Sequence, residues 1–157
     1  MSIEKVRETF TALGIAGRIQ EFDVSSATVE LAAAALGCEG KRIAKTISLY
    51  KDGGAILIVA AGDAKIDNRK FKETFGFKPK MLHFEDVERL TGHAVGGVCP
   101  FAVNAGADVY LDASLRRFDT VFPACGSSNS AIELTLPELE AYSGYRGWVD
   151  VCKLPEA

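Results

Sequence analysis

The sequence predicts an α+β fold, a single domain built on a mixed sheet, and three observations predict it. A chain of 157 residues with 48% apolar and 25% charged side chains has the size and composition of one globular domain with a real core. Two strand-like runs, "KTISLY" and "AILIVAA", are joined by "KDGG", where Asp52-Gly53 is a strong hairpin signal. Around that hairpin, short helical patterns are interspersed with short strands, without the regular βαβα succession of a doubly wound sheet. No repeat, low-complexity linker or composition break divides residues 1–157, so one domain is expected throughout.

The elements follow in order. Ile3, Val6, Phe10 and Leu13 keep helical spacing behind Ser2 as a candidate cap, and Gly14 stops that helix. A short strand falls near "RIQEF", residues 18–22. "SSATVELAAAALG" reads as a second helix opened by Ser26 or Thr28 and ended by Gly37. The hairpin comes next, and its second strand is apolar on both faces, which places it in the middle of the sheet. "GDAKIDNRKFKETFG" gives a turn and a helix capped by Asp67 and closed by Gly76. A strand "PKML" leads to a helix "FEDVERLTG", then to the loop "HAVGGVCPFAV". Strands are expected at 108–112, 119–123 and 130–136. Thr135 and Glu138 have capping-box spacing for a last helix, and "WVDVC" closes the chain as a strand.

Composition excludes several classes. No apolar run approaches the roughly 18 residues needed to span a bilayer, and "MSIEKVRETF" carries charge where a signal peptide carries its apolar segment. The cytoplasm is the expected compartment. Cys38, Cys99, Cys125 and Cys152 form no CxxC pair and show no ligand spacing with His83 or His93, so reduced thiols and no metal site are expected. There is no P-loop, no Gly-x-Gly-x-x-Gly and no Gly-x-Ser-x-Gly elbow. Net charge is −3, yet residues 41–80 hold ten of the 18 basic and four of the 21 acidic side chains, making that quarter +6 and the remainder −9. Such asymmetry is that of a phosphate-facing patch, or of a solvated face if it surrounds no site.

Three stretches bear on chemistry. In "KRIAKTISLY", strand alternation puts Lys45 on the same face as Ile47 and Leu49, opposite Thr46, Ser48 and Tyr50. A lysine there either snorkels to solvent or stands as a partly buried cation awaiting an anionic or carbonyl ligand. "GGVCPF", residues 96–101, combines two conformationally free glycines with a proline that fixes the exit of the turn. Its backbone N–H groups suit a carbonyl oxygen or oxyanion. Cys99 in that loop reads first as core filler and only second as a nucleophile with His93 as base. "CGSSNSA", residues 125–131, offers Ser127, Ser128, Asn129 and Ser130 as an ordinary loop or as readers of a small polar ligand.

Taken together and in order, "SSATVELAAAALG", "RIAKTISL", the apolar strand, "GDAKIDNRKF", "LTGHAVGGVCPF", "VYLDASL" and "SAIELT" with "LPEL" resemble the YbaK/prolyl-tRNA-synthetase-associated family of aminoacyl-tRNA deacylases. The likeness covers roughly residues 20–140. It implies a YbaK-like α+β fold, with a mixed, largely antiparallel curved sheet flanked by short helices. It also implies trans-editing, the hydrolysis of the ester between a wrong, small amino acid and tRNA, most often tRNA for proline. The family's key lysine falls on Lys45 and its Gly-x-x-x-Pro loop on Gly96 to Pro100. The resemblance thus gives Lys45, Gly96 and Gly97 catalytic roles. It surrounds the substrate with Phe22, Thr28, Thr46, Val98, Pro100, Phe101, Ser128, Asn129 and Ala131. The basic helix, through Arg69, Lys70 and Lys72, then meets the tRNA acceptor stem. No cofactor is implied. The partners are the acceptor end of aminoacyl-tRNA and, beyond it, prolyl-tRNA synthetase. The nucleophile is a water set by the terminal ribose hydroxyl or, in the cysteine-selective branch, the substrate's own thiol. Where that branch carries an aspartate this chain has Ala131, so the amino acid removed is left open.

Two other classes stand beside this reading. One is a non-catalytic module of the same fold that binds tRNA or a synthetase. The other is a small-molecule esterase or amidase in which Cys99 acts covalently.

Overall fold

The computed structural model describes residues 2–155. In chain order the elements are α1 (Ser2–Ala12), β1 (Gln20–Glu21), α2 (Val29–Leu36), β2 (Ile43–Lys51), β3 (Gly54–Ala61), β4 (Lys65–Ile66), α3 (Asn68–Phe75), α4 (Val87–Thr91), β5 (Ala107–Asp112), β6 (Thr120–Pro123), β7 (Ser130–Ala131), β8 (Leu134–Thr135), α5 (Leu136–Ser143), β9 (Gly147–Val149) and β10 (Cys152–Lys153). The helix caps sit where side-chain chemistry puts them. Thr28, not Ser26, accepts from Leu31 N at 3.2 Å to open α2, and Asp67 accepts from Lys70 N at 3.1 Å to open α3. Thr135 and Glu138 close a reciprocal capping box on α5. Ser2, expected as the first cap, is itself the first helical residue, and the position before it lies outside the described residues.

The main sheet has six strands in the order β8-β6-β2-β3-β5-β9. The hairpin β2/β3 is antiparallel with Lys51 opposite Gly54, as Asp52-Gly53 requires. Strand β3 is buried along its whole length, the consequence of apolar side chains on both faces of a central strand. The sheet is mixed, with more parallel pairing than expected: β2/β6, β3/β5 and β5/β9 are parallel, and of the main-sheet junctions only β2/β3 and β6/β8 are antiparallel.

Two expected strands are broken. Residues 130–136 divide between β7, which pairs with β1, and β8, which pairs with β6. The turn between them is held by Ile132 N donating to Pro123 O at 3.0 Å. "WVDVC" divides between β9 in the main sheet and β10, which pairs with β4. The buried Asp112 carboxylate takes Val151 N at 2.9 Å and Ser114 N at 2.9 Å, and so pulls the backbone out of the ladder. "PKML" is reduced to a single bridge, Leu49 to Met81, flanked by Tyr50 N→Lys80 O and Leu82 N→Ser48 O.

A large core fills the space between the sheet and most of the helices, and a smaller separate cluster, Ala32, Ile43 and Phe122, lies under α2. Helix α1 enters the large core through Val6 and Phe10, whose ring meets Phe101 edge-on at 4.9 Å. Fully burying one such ring contributes roughly 1.5–3 kcal/mol relative to leaving it in water. No helix among the described residues is long and apolar enough to cross a membrane.

Candidate active site

A cavity of about 540 Å³ opens beside β2. Ala44, Thr46 and Ser48 of β2 form one wall, and the start of α2 with Thr28 forms another. Gly96 and Val98 come from the glycine loop, Phe122 and Ala124 from the end of β6, and Ser130 and Ala131 from β7. Met81, Phe84 and Val95 stand at its margin. Lys45 is the one titratable residue on its walls among the described residues.

Strand alternation places Lys45 with Leu49, which is buried, and Ile47, which packs on the core. Thr46 and Ser48, from the opposite parity, carry cavity hydroxyls with no partner among the described residues. Lys45 also borders the cavity, half-buried, with its Nζ donating to Gly62 O at 3.3 Å. That is its one acceptor among the described residues, so two of the three ammonium donors stay available to a ligand. Gly62 itself is fixed by close packing: a Cβ there would lie 2.0 Å from Gly40 O. Burial lowers the Lys45 pKa, with Asp63 opposing the shift.

The glycine loop is shaped by two different constraints. Gly96 has φ +87°, a region that L side chains avoid. Gly97 packs so closely on the 126–127 backbone that an added Cβ would meet Ser127 Cα at 2.8 Å and the Gly126 carbonyl at 2.9 Å. Gly97 N is committed to Ala94 O at 3.0 Å, which closes the turn. The amides of Gly96 and Val98, both from the cavity wall, donate to no group among the described residues. Of the expected Gly96–Pro100 backbone, these two amides are left for a ligand, while that of Gly97 is used in the turn.

The structure thus gathers Thr28, Lys45, Thr46, Gly96, Val98 and Ala131 around one cavity. It places the other expected residues elsewhere. Phe101 is wholly buried against Phe10, and Pro100 is buried behind the loop. Asn129 is a strap: its Nδ2 donates to Phe22 O at 3.0 Å, its carbonyl accepts from Phe22 N at 2.8 Å, and its Oδ1 accepts from Ser127 Oγ at 2.9 Å. Ser128 O receives Ser26 N at 2.6 Å, so Phe22, Ser128 and Asn129 hold the cavity's outer loop together. Sequence reasoning missed Ser48, Met81, Phe84 and Phe122. For Ser48 the signal was present, since Thr46 and Ser48 share the parity opposite Lys45.

Cys99 does not line the cavity. Burial pushes its thiol up to about 12, and the thiol donates to Phe101 O. His93 Nε2, 3.5 Å from that sulfur, lies 2.7 Å from the same carbonyl. Burial lowers the His93 pKa. In the neutral imidazole, therefore, Nε2 carries the proton toward Phe101 O and cannot take one from Cys99. The covalent cysteine reading is overturned on access and on protonation alike.

On the basic helix, Arg69 pairs with Glu73 at 3.1 Å on the surface. Lys72 borders a shallow depression with Asn68, Arg69 and Lys78. Lys70 differs from both: its amine reaches Asp150 at 3.1 Å and Cys152 O at 3.0 Å, tying α3 to the last strand.

Fold and site together define a small α+β protein with an open cavity beside β2, a half-buried cation on its wall and unpaired main-chain donors beside it. The family model of the aminoacyl-tRNA editing domain matches residues 24–142, and the chain belongs to that family. It is 55% identical over 154 residues to the uncharacterized protein YwhH of Bacillus subtilis (strain 168), covering 98% of both chains. It is 29% identical over 109 residues to a protein of Enterococcus faecalis (strain ATCC 700802 / V583) named "Putative Cys-tRNA(Pro)/Cys-tRNA(Cys) deacylase EbsC", covering 68% of this chain and 66% of that one. Among solved structures, one described as "a putative trans-editing enzyme for prolyl tRNA synthetase" superposes with a TM-score of 0.85 at 29% identity, over 97% of each chain. The fold is therefore YbaK-like.

Proposed function

We propose that the protein is a trans-acting aminoacyl-tRNA deacylase that hydrolyses the ester between a small amino acid and the terminal ribose of tRNA, with tRNA for proline as the leading substrate. One observation carries this reading: Lys45, with two open donors, and the unpaired amides of Gly96 and Val98 belong to the wall of the same cavity. In that arrangement the ammonium engages the terminal phosphate or the ester, and the amides receive the aminoacyl carbonyl. A hydroxide derived from water adds to that carbonyl. Negative charge moves onto the oxygen facing the amides, and collapse of the adduct releases the amino acid and returns the proton to the ribose oxygen. The described cavity wall holds no carboxylate, imidazole or thiol to act as base. Activation of the water therefore falls to a hydroxyl of the substrate's own ribose. For a cysteinyl ester the substrate's own thiol adds to the carbonyl in place of water, the C–O bond to the ribose breaks, and the thiol proton passes to the ribose oxygen. The exposed cations Arg69, Lys72 and Lys78 supply phosphate contacts that weaken with salt. Prolyl-tRNA synthetase is the candidate protein partner.

The test is hydrolysis of tRNA for proline charged with alanine, serine or cysteine. The expected result is accelerated loss of at least one ester, and a fall of about 100-fold or more in Lys45→Ala, the scale on which removal of one oxyanion-stabilising donor acts. Unchanged ester lifetimes with intact tRNA binding would instead establish a non-catalytic tRNA-binding module.

A further inference from the structure

Phe84 is 76% exposed, Met81 59% and Val95 46%, and all three stand on the margin of the cavity. Single exposed apolar side chains are ordinary on a protein surface. Three around one opening make a patch that a ligand would cover. The backbone beneath Phe84 is held firmly. Segment 78–84 lies along β2 through Tyr50 N→Lys80 O at 2.8 Å and Leu82 N→Ser48 O at 3.0 Å. The Tyr50 hydroxyl accepts from His83 N at 3.0 Å and donates to Asp86, pinning the turn that presents the ring. The same segment connects two surfaces. Lys78 borders the depression shared with Arg69 and Lys72, whereas Met81, Leu82 and Phe84 border the cavity.

We propose that Phe84, flanked by Met81 and Val95, is the stacking platform for the 3′-terminal nucleobase of the tRNA. Segment 78–84 then forms the strip along which the acceptor end passes from the basic depression to the cavity. The proposal rests on the deacylase reading and adds to it a positioning surface outside the ester pocket. A single-stranded terminus needs this combination: cations that follow the phosphates and an aromatic face that takes a base regardless of its edge. The charge is uneven along the segment: Glu85 is exposed next to Phe84, whereas Lys78 and Lys80 are exposed on the side of the basic depression. An apolar protein partner would gain nothing from those cations, which favours the nucleic acid with its phosphates on that side. A stack on a rigid turn also places the terminal ribose at the cavity mouth with little loss of freedom.

The experiment uses the whole protein and an uncharged acceptor-stem minihelix ending in CCA, compared with the same minihelix lacking the terminal base. Phe84→Ala is expected to weaken binding to the first about tenfold and to leave binding to the second unchanged, while Phe84→Trp retains wild-type affinity. With charged tRNA the loss should fall on KM rather than on kcat. Equal affinity of Phe84→Ala and wild type for the CCA minihelix, or equal losses on both RNAs, would overturn the platform. So would a wild-type dimer that Phe84→Ala converts to monomer, since the patch would then be a self-association surface. The two readings fail separately. A wild type that deacylates nothing removes the deacylase assignment, yet a base-dependent loss in Phe84→Ala would still uphold the platform.

Discussion

Gly96 and Gly97 are adjacent, yet the structure requires glycine at each for a different reason, and substitutions separate the two. At Gly97 an alanine Cβ would sit 2.8 Å from Ser127 Cα and 2.9 Å from the Gly126 carbonyl. Carbon atoms pack best at about 3.5–4.0 Å, so the 126–127 backbone must retreat by roughly 0.7–1.2 Å. The obstacle is main chain, not the end of a flexible side chain. Overpacking of this kind costs about 1–3 kcal/mol. In a domain of this size each kcal/mol moves Tm by about 2–4 °C, so Gly97→Ala should melt roughly 2–12 °C lower. The displaced segment leads into Ser130 and Ala131 on the cavity wall, so deacylation should fall with stability. At Gly96 a Cβ would meet Ser128 and Ala27 Cβ atoms at 3.5 and 3.6 Å, ordinary contacts, and only φ +87° opposes it. Gly96→Ala should therefore cost about 1–2 kcal/mol, and Gly96→Asn less, because asparagine tolerates positive φ. At Gly97 asparagine should be no better than alanine. Thermal melts and deacylation rates for the four variants decide the matter. A Gly97→Ala protein as stable and active as wild type, or asparagine rescue at 97 rather than 96, would refute the two-constraint account.

Lys45→Met should abolish deacylation while raising Tm by about 1–4 °C, since it removes a half-buried charge that makes no ion pair among the described residues and feels Asp63 only at a distance. A depressed lysine pKa penalises the fold below the folded-state value and ceases to do so above the unfolded value. The stability gap to Lys45→Met should therefore narrow toward alkaline pH, and an unchanged or lower Tm at neutral pH counts against this reading. His93, buried and held neutral, gives stability that is complete above its unfolded pKa of about 6.5 and is lost as pH falls toward its depressed folded value. Denaturant titrations between pH 6.5 and 5 should show wild type losing stability at up to about 1.4 kcal/mol per pH unit, with a flatter profile in His93→Gln; superimposable profiles would clear His93. A thiol-directed reagent should modify Cys38 first, because Cys99, Cys125 and Cys152 are buried. Prior labelling of Cys99 in native protein would contradict its placement in the core.

How much of this was legible in the sequence depends on the range of the interaction that settles each residue. The hairpin, the Asp67 cap and the Thr135–Glu138 box were readable because both partners lie within a few residues. The strand at 130–136 was not, because its break reflects pairing with β1 and β6, more than a hundred residues and about a dozen residues away respectively. "WVDVC" was misread for the same reason: a carboxylate at Asp112 draws Val151 N aside, and no local pattern announces it. The site divides along the same line. Lys45, Gly96 and the cavity-facing Thr46 and Ser48 follow from alternation and backbone permissiveness, properties that a residue carries by itself. Asn129, Lys70 and Phe101 are polar, cationic and aromatic residues that invite a functional role, yet each is engaged by a distant part of the fold: Phe22, Asp150 and Phe10. Phe84 is the converse case. Nothing in "HFED" marks the ring as special, and only the fold shows that its position on β2's edge leaves it bare at the mouth of the cavity. A side chain's chemistry is available for a substrate only when the fold has not already used it, and that condition is a property of long-range contacts rather than of residue type.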